Sequence, residues 1–304
     1  MKELELMRQW CLHSCKSLHR PDTLDFKVFV GYATDLALKH GFLMDMVLAV
    51  SATQIAAETL NERVRASYTS LALEYQSTAV VAARNQLLQV NADNCNALFT
   101  FTILNIPTSV VLAQLPIGGQ DTAKSPRQSI VISSEWIMRL VSLMSAAEPW
   151  LRQGPYKEAF DNCEDPSAFD DTMRAPMNRL TSILACSKYA GREYMEQFRM
   201  FSHAVELLEH NFVRSKTMSI AWLAEIGEKF VQHMDLGNQM ALVITMHWGV
   251  LLHSLDMWWA SFTGKRLVDE ISTDLQKETL TADEMESIRW SRVQVGLEVQ
   301  KTWV

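Results

Sequence analysis

His247 and His253 stand in the most apolar stretch of this 304-residue chain, Met240 to Phe262, which reads MALVITMHWGVLLHSLDMWWASF. An imidazole exchanges protons near neutrality and can also ligate metals. On a 3.6-residue helix, Met240, Val243, Ile244, His247, Leu251, Leu255, Trp258 and Phe262 form one stripe, with His247 in the middle of the greasiest face. His253 and Asp256 fall on the opposite side, spaced so that the carboxylate can orient the imidazole. A buried imidazole needs a hydrogen-bond partner, and for His247 that is either a group in the core or a bound ligand. Trp248, Trp258 and Trp259 add flat surfaces beside the histidines, and Trp290 follows on the last helix. The candidate catalytic residues are therefore His247 and His253. The candidate ligand-binding residues are Met240, Val243, Trp248, Leu251, Asp256, Trp258, Trp259 and Trp290. Lys188, Tyr189, Arg192, Arg289 and Arg292 serve either as the polar end of such a cavity or as a solvated face.

Other chemistry finds little support. Cys11, Cys15 and His19 recur at helical spacing, but zinc needs three or four converging ligands, and core-facing cysteines account for them. The chain has no HExxH, no GxSxG and no glycine-rich phosphate loop, so no metal and no cofactor is expected. A net charge of −7, with no basic run, argues against nucleic acid as a partner. Five scattered cysteines read as reduced thiols, and Glu3, Glu5 and Arg8 interrupt any secretory signal, giving a cytoplasmic expectation. Met240 to Phe262 approaches membrane-spanning length, but its two histidines and Asp256 make spanning costly, so no membrane span is expected.

The elements that must position these residues are helices. Hydrophobic residues make up 48% of the chain and charged residues 21%, while glycine (11) and proline (8) are scarce and no segment alternates like a half-buried strand. Leu4, Met7, Cys11 and Leu18 outline a first amphipathic helix. A second runs from about Leu24 to Lys39 and is capped by Gly41; Phe42 to Leu60 and Asn61 to Val90 follow. Asp93 is a fitting N-cap for Asn94 to Leu112. Residues 113–126 form the clearest loop, after which Ser125-Pro126 starts a helix that reaches about Ala147. Trp150 to Phe160 is a short turn and helix, and residues 161–176 are a polar crossing. Helices resume over Met177 to Arg214 and Met218 to Met234. The apolar helix ends at Gly264, and Thr281 with Glu284 forms a capping box for the last one. The whole, residues 1–304, reads as one all-α domain of about 10–13 helices with an internal hydrophobic pocket.

Four segments carry a family resemblance: LELMRQWCLHSCKSL, FLMDMVLAVSATQIAA, EPWLRQGPYKEAF and ALVITMHWGVLLHSLDMWWASFTGKRLVDEI. In this order they resemble the ligand-binding domain of fungal binuclear zinc-cluster transcription factors of the sterol-uptake regulator type. The resemblance implies an all-α fold that holds sterol-like molecules. The family's six-cysteine DNA-binding cluster has no counterpart here, and the chain starts at Met1 inside the ligand-binding region. The expectation is therefore a stand-alone protein of fungal natural-product biosynthesis that binds a terpenoid, polyketide or sterol-like molecule. Its reaction would be a cofactor-independent cyclisation of the cycloaddition type, in which holding the reacting ends together supplies most of the rate. His247 or His253 would donate to a carbonyl or enone oxygen, while Trp248, Trp258 and Trp259 stack on the substrate. The alternative is a sterol- or lipid-sensing domain of a nuclear regulator, with a homodimer among the assemblies allowed.

Overall fold

The computed structural model describes residues 1–18, 29–117, 123–157, 171–186, 194–213, 219–255 and 257–298. Every regular element among them is helical, as the scarcity of glycine and proline leads one to expect. The chain gathers into two compact units. The first comprises Met1–Ser125, Ile132–Cys163 and Met257–Trp259, and the second Pro126–Val131, Glu164–Asp256 and Ala260–Val304.

In the first unit, α1 (Lys2–Gln9) passes directly into a π-helical turn, Trp10–Ser14. The wider turn changes which side faces inward. Leu6, Trp10, Ser14 and Leu18 are buried, whereas Leu4 is 70% exposed and Cys11 is also exposed, so the stripe expected from a 3.6 period is displaced. Gly41 opens α2 (Gly41–Glu58) instead of capping the helix before it, because the chain enters from an extended His40. α2 is apolar around most of its circumference and is buried accordingly. It packs on α3 (Glu62–Leu87), whose buried Ala72, Ala79 and Ala83 permit close approach, and on α4 (Cys95–Ala113). Asn61 caps α3 through its side chain, at 3.0 Å from the amide of Arg63 and 3.2 Å from that of Val64. The cap of α4 is Asn94, not the adjacent Asp93. Inside α4, the buried hydroxyls of Thr102 and Thr108 return to carbonyls one turn back, at 2.8 Å and 2.6 Å, so the apolar core carries them satisfied.

Pro126 begins α5 (Pro126–Leu151), which runs past Ala147 and through Pro149. Beyond it Tyr156 is buried, with its hydroxyl bonded to Thr100 and its ring edge-on to Phe99 at 4.8 Å.

The second unit holds α6 (Asp171–Cys186), α7 (Met195–Val213), α8 (Ser219–Glu225), α9 (Gly227–Asp235), α10 (Gln239–His253), most of α11 (Trp258–Leu275), and α12 (Ala282–Gln294). The stretch expected as a polar crossing is helical from Asp171 onward, its earlier residues lying outside the described ones. The helices expected after it form, among the described residues, as α6 to α9. Gly227 and Gly237 adopt φ of 79° and 76°, a left-handed conformation that lets the chain turn between α8, α9 and α10.

α10 is the hub of this unit. It packs against α6, α7, α8, α9 and α12, and every residue from Met240 to Leu252 is buried. Asn238 caps it, accepting from the amides of Met240 and Ala241 at 3.1 and 3.2 Å. The apolar segment is not one helix to Phe262. It stops at His253, where Ser254 bonds back to the Leu251 carbonyl at 2.7 Å, and a new helix starts at Trp258. Gly264 is consequently no cap. It lies within α11 against α10, where a Cβ would stand 2.5 Å from the carbonyl oxygen of Gly249. Two backbones can meet this closely only without a side chain between them.

Among the described residues, three helices are long and apolar enough to cross a membrane: α2, α4 and α5, with 67%, 83% and 28% of their most apolar windows buried within the protein. α10 is shorter than these.

The Gly249–Gly264 crossing yields a graded prediction. Gly264→Ala pushes a methyl into backbone and should lower the unfolding free energy by about 2–3 kcal/mol. Gly249→Ala meets the movable side chain of Val268 at 3.0 Å and should cost clearly less. Urea unfolding of both variants measures the order, and equal losses would refute the close backbone approach.

Candidate functional site

Both nitrogens of His247 lie inside the protein, since the residue is fully buried in the middle of α10. Nδ1 lies 2.8 Å from the Val243 carbonyl oxygen. A carbonyl only accepts, so Nδ1 carries the proton and donates it. Nε2 is then the bare nitrogen, a hydrogen-bond acceptor, and it has no partner among the described residues. Burial holds the imidazole pKa down to about 4; the Val243 bond opposes this and the positive charge of Arg179 reinforces it. His247 is therefore neutral at neutral pH, with a lone pair directed into the interior.

The surroundings come from α6 and α12. The half-buried Trp290 ring of α12 stacks on His247, with centroids 5.1 Å apart and planes 21° from parallel. Arg179 of α6 reaches the same helix: its Nη2 is 3.9 Å from Glu286, while its Nη1 is buried without a partner. Ser287 and Ser291 are fully buried on α12, and their hydroxyls likewise lack partners. An unmet buried polar group costs about 1–3 kcal/mol. A concentration of them on helices that pack together is costly unless something else satisfies it.

α12 is held firmly around this point. The capping box forms as its residues predict, with Thr281 donating its amide to Glu284 at 2.8 Å and receiving the Glu284 amide at 3.3 Å. The other oxygen of Glu284 accepts from Gln239 at 2.9 Å, joining the start of α12 to the start of α10. Near the far end, the buried Arg292 donates to Asp269 at 2.9 Å, to Ser272 at 2.7 Å and to the Glu298 carbonyl at 2.9 Å. Arg292 is thus a structural tie between α12 and α11. Arg289 is exposed and paired with Glu286 at 2.8 Å.

The remaining candidates separate. Met240, Val243 and Leu251 are buried along α10. Trp248 stacks on Trp222 at 5.3 Å, within an aromatic cluster that continues to Phe230 and Phe201, so its ring belongs to the core of the unit. Trp258 and Trp259 group with the first unit, Trp259 buried and Trp258 half-buried. His253 is half-buried, with Nδ1 3.4 Å from the Ser261 carbonyl. α10 ends at His253, and Asp256 lies outside the described residues, as do Lys188, Tyr189, Arg192 and His19. Cys15 is buried and Cys11 exposed, and among the described residues no group of three or more metal-ligating side chains converges.

A cleft of about 420 Å³ opens at the start of α10, beside Arg127, Asn238, Gln239, Asp274 and Lys277. It is lined by charge, in contrast to the apolar wall expected around this helix, and its ions pair among themselves: Asp274 lies 3.8 Å from Arg127 and 2.9 Å from Lys277.

Arg179 and Ser287 carry no signal in the sequence beyond their places on amphipathic helices, and only the packing of α6 and α12 against α10 singles them out. Comparison with protein-family models and with curated proteins finds no match, so the site rests on its own geometry.

The depressed pKa of His247 makes a pH prediction. An unfolded chain binds its proton near 6.5, whereas the folded one resists until about 4, so the unfolded state holds more protons between these values. Stability should be highest above pH 6.5 and fall as pH drops toward 4. His247→Leu should flatten that fall, as read from urea midpoints at pH 7.5 and pH 5. An undiminished pH dependence in the variant would show that His247 is not its source.

Proposed function

We propose that this chain binds an apolar small molecule of terpenoid or polyketide origin against His247 and acts on it as a cofactor-independent cyclase. The observation that carries the reading is the bare Nε2 of His247, buried without a partner among the described residues in the middle of the most apolar helix. Binding sites for such molecules are largely apolar and contain a few polar atoms that fix orientation. Here Nε2 fixes one end of the ligand and the half-buried face of Trp290 shields it. Cyclisation gains chiefly from holding the reacting ends together, which needs no proton shuttle from this chain.

The role of His247 differs from the one expected of it. Its only proton is committed to Val243, so it accepts from the ligand and does not donate to a carbonyl. As a neutral acceptor it anchors a hydroxyl.

A second reading, a sterol- or lipid-sensing domain, is favoured by one observation. Trp290 links the buried imidazole to the partly exposed side of α12, so a ligand at Nε2 would displace or lock that helix and convert occupancy into a surface change. The enzyme would work in the cytoplasm and the sensor in the nucleus.

Incubation of the purified chain with linear terpenoid and polyketide-terpenoid precursors separates the two. The cyclase reading expects a changed product ratio and a rate above the buffer control, with His247→Leu losing about 10–100-fold. Tight binding with a product distribution identical to buffer would favour the sensor and overturn the enzyme.

A further inference from the structure

The buried atoms left without partners among the described residues on the three helices that meet at His247 differ in kind. Nε2 of His247 is an acceptor, Nη1 of Arg179 is a donor, and Oγ of Ser287 donates or accepts. They belong to α10, α6 and α12, each of which packs on the other two. Their approach to α12 is tightly defined. Arg179 touches Glu286 and His247 touches Trp290, one helical turn apart on the same side of α12, with Ser287 buried between them in sequence. The charge of Arg179 is also felt at the imidazole, which it disfavours in the protonated form.

We infer that Arg179, His247 and Ser287 form a hydroxyl-reading site, in which an alcohol or enol oxygen of an apolar ligand donates to Nε2 of His247 and accepts from Nη1 of Arg179 and Oγ of Ser287. This rests on the apolar-ligand reading above and gives it a ligand class. A neutral hydroxyl has one hydrogen to give and two lone pairs to fill, which matches these three atoms. A ketone or aldehyde accepts from Arg179 but offers nothing to Nε2. A carboxylate suits Arg179 and sets its own lone pairs against that of Nε2. An amine satisfies Nε2 only by placing an ammonium beside a guanidinium. Arg179 thereby takes the donor role that His247 cannot fill, and it is a specificity-determining residue on a helix distant in sequence from the apolar segment.

The test uses four molecules of one skeleton: farnesol, farnesal, farnesoic acid and farnesene, titrated calorimetrically into the full chain at pH 7. Farnesol should bind at least ten-fold tighter than the other three. Arg179→Met and His247→Leu should each bring farnesol to within three-fold of farnesene while farnesene affinity stays unchanged. Ser287→Ala, a mild change that keeps the fold intact, should reduce the farnesol preference three- to ten-fold and serves should Arg179→Met fail to fold. Equal affinity for all four molecules overturns the hydroxyl site and leaves apolar binding standing. Loss of farnesene binding together with farnesol in a folded Arg179→Met variant assigns Arg179 a structural role and overturns the inference. Binding of none of the four overturns both this inference and the apolar-ligand reading beneath it, whereas turnover without hydroxyl preference overturns this inference alone.

Discussion

A helix enclosed by protein around its whole circumference removes its polar side chains from bulk water, and α10 imposes that condition on every residue from Met240 to Leu252. Apolar residues meet it at once. The backbone meets it through the helix ladder and the Asn238 cap. His247 meets it by half, through the bond of Nδ1 to Val243, and that same bond leaves Nε2 bare and the ring neutral. The chemical character of the site, an acceptor in an oily setting, follows from this one enclosure.

Enclosure in turn depends on how closely the neighbours approach. Gly264 lets α11 come up to the backbone of α10 at Gly249, and the Trp222–Trp248 stack fills the side facing α8. α12 is tied near both ends, through Gln239 to Glu284 at its start and through Arg292 to Asp269 and Ser272 near its finish. Trp290 lies between those ties, so its ring is held over His247 by bonds that do not involve the ring itself. The residues that fix the ends of α12 and the residue that covers the imidazole are thus separate.

The same arrangement accounts for the two functional readings. A neutral imidazole that only accepts is a poor acid and a good anchor, so it supports orientation-driven cyclisation and simple ligand capture alike. The sensor reading and the cyclase reading thus draw on one feature, a buried acceptor on a mostly apolar helix. What separates them chemically is whether the bound molecule has reactive ends to bring together.

Much of the helical order is legible in the residues. Asn61 before its helix, Pro126 at a first turn, the Thr281–Glu284 box and the placing of His247 on an apolar face are all determined within a few residues of chain, by caps and periodicity that act locally. The stop at His253, the role of Gly264 and the inward side of the first helix were decided elsewhere. They depend on which backbone lies opposite and on a π turn that shifts the period, neither of which a local pattern encodes. Arg179 and Ser287 are the clearest case. As sequence they are an ordinary cation and an ordinary hydroxyl on amphipathic helices, and only tertiary packing buries Nη1 of Arg179 and Oγ of Ser287 on helices that pack against the one carrying His247.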